Sequence, residues 1–208
     1  MGTPLEYLHP EHAPRWQEEL AAADVPDMLR KLVKRRTSPN GWFGIKAHWD
    51  HLEFGRQRGL YDVLRFDRFI RIERRDRLAQ AVSLAMARQT RAWLSMQEQK
   101  SDPQYSERDI SRALATLDKQ SESWDQWEAA HGVEALHVYY EDLVADPLKV
   151  VNGILGEFGL DRMDALPHVP TRKQASSINA EWKWRYLRPS ARAKRRLKRM
   201  VKKVIGRA

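Results

Sequence analysis

The junction at residues 69–83 limits this chain's fold more than any other feature. A β-like run, Phe69-Ile70-Arg71-Ile72-Glu73, passes directly into Arg74-Arg75-Asp76 and then into a helical pattern. A strand that turns straight into a helix is half of a βαβ unit, so strands and helices are expected to alternate. The order puts Arg74 at the strand end and Ser83 inside the following helix. Such a corner suits a phosphate, because a helix N-terminus offers unpaired N–H donors and the positive end of a dipole.

The rest of the chain repeats the alternation. Residues 1–36 are helical in pattern, with breaks expected at Pro10, Pro14 and Pro26, and Ser38-Pro39-Asn40-Gly41 reads as a turn. Trp42 to Trp49 reads as a buried strand, Arg68 to Glu73 as a second and Ala135 to Tyr140 as a third. Asp76 is expected to cap a helix running to about Gln97, with Leu78, Ala81, Val82, Ala85, Met86 and Trp93 on its apolar side. Ser106-Glu107-Arg108-Asp109 resembles a capping box, and the helix behind it ends at Gly132. Asp146-Pro147 opens a further helix that closes at Gly159. The expected class is therefore α/β with a mainly parallel sheet, and ligands lie beyond the carboxyl ends of such strands. Those ends carry Lys46 and His48, then Arg74, then Tyr140-Glu141-Asp142.

Charge narrows the function classes. The net charge of +9 is not spread evenly: residues 188–208 hold ten Lys/Arg and no acid, which leaves 27 basic and 28 acidic residues elsewhere. A nucleic-acid protein more often distributes its basic residues over the fold, so nucleic acid is not the expected partner. The chain has no cysteine, which removes disulfides, thiol chemistry and cysteine metal sites. Met1 to Tyr7 has no apolar core of the signal-peptide kind, and Glu6 at the sixth position does not fit a myristoylation signal. Residues 1–187 are read as one α/β domain, and residues 188–208 as a basic amphipathic C-terminal helix.

On a helical wheel begun at Asp76, Gln80, Ser83, Thr90 and Arg91 share a face with Ala87. Short hydrogen-bonding side chains there fit either a ligand or a helix tucked under a loop, with Ser83 bonding back to a carbonyl.

Here the residues resemble a family. The run Arg74-x-Asp76…Gln80-Ala81-Val82-Ser83…Gln89-Thr90-Arg91-x-Trp93 is similar to sulfotransferases of the trehalose 2-sulfotransferase and lipopolysaccharide sulfotransferase type. Further resemblances follow in order. They are Pro4-x-Glu6-Tyr7, then Thr37-x-Pro39-Asn40-Gly41 with Gly44-x-Lys46 and Trp49, then Tyr140-x-x-Leu143, then Arg172-x-Gln174-Ala175 with Glu181-Trp182.

The resemblance implies a P-loop-like three-layer sandwich. It also implies transfer of a sulfuryl group from 3′-phosphoadenosine 5′-phosphosulfate to a hydroxyl on a carbohydrate or glycolipid, without a metal. Residue by residue, Glu6 matches the general base, and Arg74 and Ser83 match the clamp on the donor's 3′-phosphate. Arg172 is expected to reach the same nucleotide. Lys46 and His48 at the pocket mouth, and Arg91 on the polar helix face, are the candidates for acceptor binding. The family's first strand, phosphosulfate loop and first helix precede its Pro-x-Glu segment, and no match to them is found here. The expected fold is thus the sandwich without its first βα unit. The alternative function is an inactive remnant that binds nucleotide or membrane.

His9-x-x-His12 and His48-Asp50-His51 lack a third ligand on a defined element, so solvated histidines are expected rather than a metal site. Trp49 and Trp93 are read as packing residues, with a sugar-lining role as the second reading. In the tail, Leu197, Met200, Val201, Val204 and Ile205 form one stripe among Lys and Arg. That suits peripheral contact with an anionic membrane, while docking of the stripe on the domain is the plainer reading. A cytoplasmic location at the inner face of the membrane and a homodimer complete the expectations.

Overall fold

Two prolines expected to break helices open them instead. In a computed structural model of the chain, Pro14 sits in the first turn of α1 (Ala13–Glu19) and Pro26 in the first turn of α2 (Val25–Arg36). A proline there removes no intrahelical bond. Asp24 completes the start of α2 by accepting the Asp27 N–H at 2.7 Å. The structure describes residues 4–93, 97, 100–167 and 177–188.

The chain divides into two compact units, residues 1–69 with 122–135 and residues 70–121 with 136–208. The first is helical. It holds α1, α2, α3 (Trp49–Arg56), α4 (Leu60–Val63) and the second half of α6 (Glu107–His131). Tyr7, Leu8, Met28, Leu29, Leu32 and Leu60 are fully buried. Removing side chains of this size from water stabilises the unit by roughly 1.5–3 kcal/mol each. Tyr7 stands edge-on to Trp16 at 5.2 Å and stacks with Phe43 at 6.2 Å. Gly55 in α3 is a forced choice. A Cβ there would lie 2.9 Å from Leu8 Cδ1 and 3.3 Å from Leu60 Cδ2.

The second unit carries the sheet. β1 (Ile70–Glu73) and β2 (Leu136–Tyr139) pair in parallel, Ile70 opposite Leu136 and Glu73 opposite Tyr139. α5 (Arg77–Thr90), the first half of α6, α7 (Tyr140–Ala145), α8 (Pro147–Glu157) and α9 (Ser177–Leu187) complete the unit. Its core is Ala81, Val82, Ala85, Ile110, Ala113, Leu117 and Trp182. The small Ala81 and Ala85 let α9 close on α5. Helix ends follow the sequence. Asp146 accepts the Lys149 N–H at 3.0 Å, Ser106 Oγ accepts the Asp109 N–H at 3.2 Å, and Gly132 and Gly159 take φ of +61° and +66°.

Three expectations are corrected. Trp42 to Trp49 is not a strand: Ile45 makes a single parallel bridge to Leu5, and Trp49 already begins α3. Its aromatics are used as packing in irregular chain. α5 stops at Thr90 and not near Gln97, so Trp93 lies beyond it and is exposed. Tyr140 opens α7 rather than ending the third strand. What stands is a mixed α/β chain with a parallel pair of strands. Among the described residues, no helix is long and apolar enough to cross a membrane.

Candidate functional site

In the first unit the candidate centre is the Glu6 carboxylate. The bridge from Leu5 to Ile45 sets its place, because the Lys46 N–H donates to the Leu5 carbonyl at 3.1 Å. That pairing brings Lys46 Nζ to 2.9 Å from Glu6 Oε1, and His48 Nε2 lies 3.6 Å from the same oxygen. Burial pushes the Glu6 carboxyl up, but the hydrogen bond and charge of Lys46, with His48 and His51 behind it, outweigh burial. The net effect holds the group below its ordinary value of 4.5, so it is ionised through the neutral range. The sequence-predicted trio of Glu6, Lys46 and His48 is therefore brought together.

Beside it lies a cluster that sequence reasoning missed. His51 is 3% exposed, so it is not a solvated histidine. Its ring lies 4.7 Å from that of His9 and 5.1 Å from that of His48, and His9 stacks on His12 at 4.1 Å. Burial, with the charge of His48, pulls the His51 value down to about 4. The neutral ring can then accept a hydrogen bond, and its Nδ1 takes one from the His48 N–H at 3.3 Å. No group of three His, Asp or Glu among the described residues is arranged to hold a metal ion.

In the second unit the candidate centre is the corner after β1. Arg74 lies flat on Tyr140, its Cζ 3.8 Å from the ring centroid. A stacked guanidinium keeps its N–H edge available for a planar or tetrahedral oxyanion. The neighbouring Arg75 is placed differently. Its fork meets Asp142 with two contacts of 2.7 Å, and its face covers Tyr139 at 4.0 Å. The expectation of unpaired N–H donors at this corner is corrected here. The Arg75 and Asp76 N–H groups donate to Glu141 at 3.1 and 3.3 Å, and Asp76 accepts the Ala79 N–H at 3.0 Å. Glu141 and Asp76 thus already take three N–H groups at this corner, and side chains such as Arg74 are left to supply its positive charge.

Ser83 lies further along α5, and its Oγ accepts a long bond of 3.4 Å from Asn179 Nδ2 of α9. Lys183 of the same helix pairs with Asp76 and holds that carboxyl below its usual range. Thr90 turns inward, its hydroxyl donating to the Met86 carbonyl at 3.0 Å. Arg91 is not on the helix face: it caps α5 with φ +57° and is exposed. Arg172 lies outside the described residues, as does the tail from 189 onward. The Arg75–Asp142 fork and the Glu141 bonds had a signal in the sequence. Parallel neighbours bring Arg74-Arg75 and Tyr139 to Asp142 to one sheet end.

Comparison with known proteins bears out the motif resemblance. The profile of the Stf0 sulphotransferase family matches residues 17–189. That match begins after Glu6. A trehalose 2-sulfotransferase of Mycobacterium tuberculosis (strain Erdman) is 28% identical over 185 residues, covering 78% of this chain and 69% of that protein. A trehalose 2-sulfotransferase of Mycolicibacterium smegmatis is 30% identical over 172 residues, covering 74% of this chain and 64% of that protein. The chain thus spans about two thirds of the length of these relatives. With a profile match over most of its length, it belongs to the Stf0 sulphotransferase family, a family of transferases.

Proposed function

We propose that this chain moves a sulfuryl group from 3′-phosphoadenosine 5′-phosphosulfate to a carbohydrate hydroxyl. Family membership supports the transfer, and the trehalose acceptor of both relatives supports a sugar. In this reading the acceptor oxygen attacks sulfur as the bond from sulfur to the bridging phosphate oxygen breaks. The hydroxyl proton passes to Glu6. The observation that carries the assignment is the Glu6–Lys46 pair, which keeps the carboxylate in its proton-accepting form. Arg74 and Ser83 take the 3′-phosphate, Arg172 assists at the nucleotide, and Lys46, His48 and Arg91 serve the acceptor. The same reading assigns residues 1–187 to one domain of the P-loop-like sandwich type.

Mass-spectrometric detection of sulfated product, from the phosphosulfate donor with trehalose and other saccharides, tests the reading. Adenosine 3′,5′-bisphosphate binding is measured alongside. Glu6→Gln should lower kcat by about a hundredfold or more while leaving bisphosphate binding intact. Binding of the bisphosphate without transfer to any sugar would replace this reading with that of a nucleotide-binding module.

A further inference from the structure

Helix α9 packs along α5. Trp182 is buried against Tyr105, with ring centroids 5.7 Å apart, and shares a core with Ala81 and Ala85. Lys183 pairs with Asp76 at the start of α5, and Asn179 Nδ2 donates to Ser83 Oγ at 3.4 Å. Asn179 and Lys183 are one turn apart on α9, so they share a face. The Trp182 burial and the Lys183 pair therefore hold Asn179 over Ser83 from the next turn of the same helix.

The Ser83 hydroxyl is used differently from other helical hydroxyls in this unit. Thr90 donates to the Met86 carbonyl at 3.0 Å, Ser111 to that of Glu107 at 2.9 Å, and Thr116 to that of Arg112 at 2.8 Å. Each of these protons goes to the carbonyl four residues back. Among the described residues, Ser83 donates to none and accepts only from Asn179.

We infer that Asn179 is a positioning residue for anion recognition by Ser83. Its amide fills one lone pair of the Ser83 oxygen and leaves the hydroxyl proton for a phosphate oxygen of the nucleotide. The inference rests on the reading that Ser83 takes the donor's 3′-phosphate. A hydroxyl carries one proton and two lone pairs. An N–H aimed at one lone pair turns the proton away from that side, and polarisation makes the proton a better donor. A phosphate oxygen, negatively charged and acceptor only, gains most from such a proton. Asn179 acts through Ser83 and does not itself touch the nucleotide. A side chain that could only accept at this position would reverse the arrangement. The Ser83 proton would turn to it and leave lone pairs facing the phosphate.

The experiment is calorimetric titration of the full chain with two nucleotides. One is adenosine 3′,5′-bisphosphate, and the other is adenosine 5′-monophosphate, which lacks the 3′-phosphate. Wild type should bind the bisphosphate more tightly. Asn179→Ala should narrow that preference by about fivefold or more, the scale of one hydrogen bond, and leave the monophosphate Kd unchanged. Asn179→Asp, of the same size but without the donor, should narrow it further. In a Ser83→Ala background, Asn179→Ala should cost nothing more, because the asparagine acts through the serine. A thermal melt on each variant checks that it is folded. An α9 merely loosened by the substitution would weaken both nucleotides, and would do so in the Ser83→Ala background as well. If Ser83→Ala narrows the preference and Asn179→Ala does not, the inference is overturned while the reading of Ser83 stands. Losses that add in the double variant also overturn it. A Ser83→Ala chain with the wild-type preference removes the phosphate role of Ser83, and the inference with it. A wild-type chain with no preference for the bisphosphate overturns both.

Discussion

Arg75 and Asp142 meet fork to fork, each guanidinium nitrogen 2.7 Å from its own carboxylate oxygen. Arg74, one residue earlier, forms no such pair with a described residue and rests on Tyr140 instead. Two adjacent arginines are thereby separated in role, one committed to the scaffold and one available to meet an anion.

That separation predicts opposite outcomes for two alanine variants. Arg74→Ala should raise the Kd for adenosine 3′,5′-bisphosphate by about tenfold or more, the scale of one charge-assisted hydrogen bond. Its melting temperature should stay close to that of wild type. Arg75→Ala should lower the melting temperature and affect the Kd less. Calorimetric titration with a thermal melt on each variant decides it, and the reverse pattern would move the phosphate site to Arg75.

Lys46 governs the charge of Glu6. Burial alone raises the Glu6 value, and the lysine contact is the largest of the effects that bring it below 4.5, ahead of His48 and His51. In Lys46→Met the acid limb of kcat/KM against pH should therefore move to higher pH. The wild-type limb should lie lower, because its carboxylate stays ionised in more acid solution. Coincident limbs for the two proteins would show that Lys46 does not set this ionisation.

His51 should make stability depend on pH. Its folded value of about 4 lies below the ordinary 6.5, so the unfolded chain binds the extra proton first. Stability from this group is fully present above 6.5 and declines as pH falls from 6.5 towards 4. The loss should be on the order of 3 kcal/mol over that window. His51→Gln should flatten the decline, and urea unfolding at several pH values reads it. A variant with the wild-type slope would remove His51 as its source.

Gly55 is where the first unit is tightest. In Gly55→Ala the new methyl meets Leu8 Cδ1 at 2.9 Å, and Leu8 is 1% exposed with nowhere to turn. Alanine gains about 1 kcal/mol of helix propensity over glycine, while overpacking costs about 1–3 kcal/mol. The net expectation is a lower melting temperature. A rise would mean that Leu8 relaxes freely.

Residues whose partners are near in sequence were legible. Asp76, Ser106 and Asp146 each bond an N–H three residues on, and Gly132 and Gly159 end helices by themselves. Strand Ile70–Glu73 was also readable. What failed depends on distant cover. The apolar run at 42–49 looked like a strand because its aromatics suit one, yet Phe43 packs on Tyr7. Helix α5 has no glycine to stop it; Arg91 takes the left-handed turn that glycine usually takes. His51 looked solvated because the His48-Asp50-His51 group offers no third ligand on a defined element, and a ring from His9 helps close it in.

The parallel pairing of β1 with β2 sets the order in which this corner can form. Glu73 lies opposite Tyr139, and the Arg75–Asp142 contact spans 67 residues of chain. Closing so long a loop costs entropy before any contact across it returns free energy. The helices between the strands can form early, but Tyr140 comes beneath Arg74 only when the register is complete. The arginine's resting place should therefore be among the last parts of this unit to assemble during folding. A substitution anywhere along β2 that slows strand pairing should delay the recovery of anion binding in a refolding experiment, even though no β2 side chain is assigned to the anion.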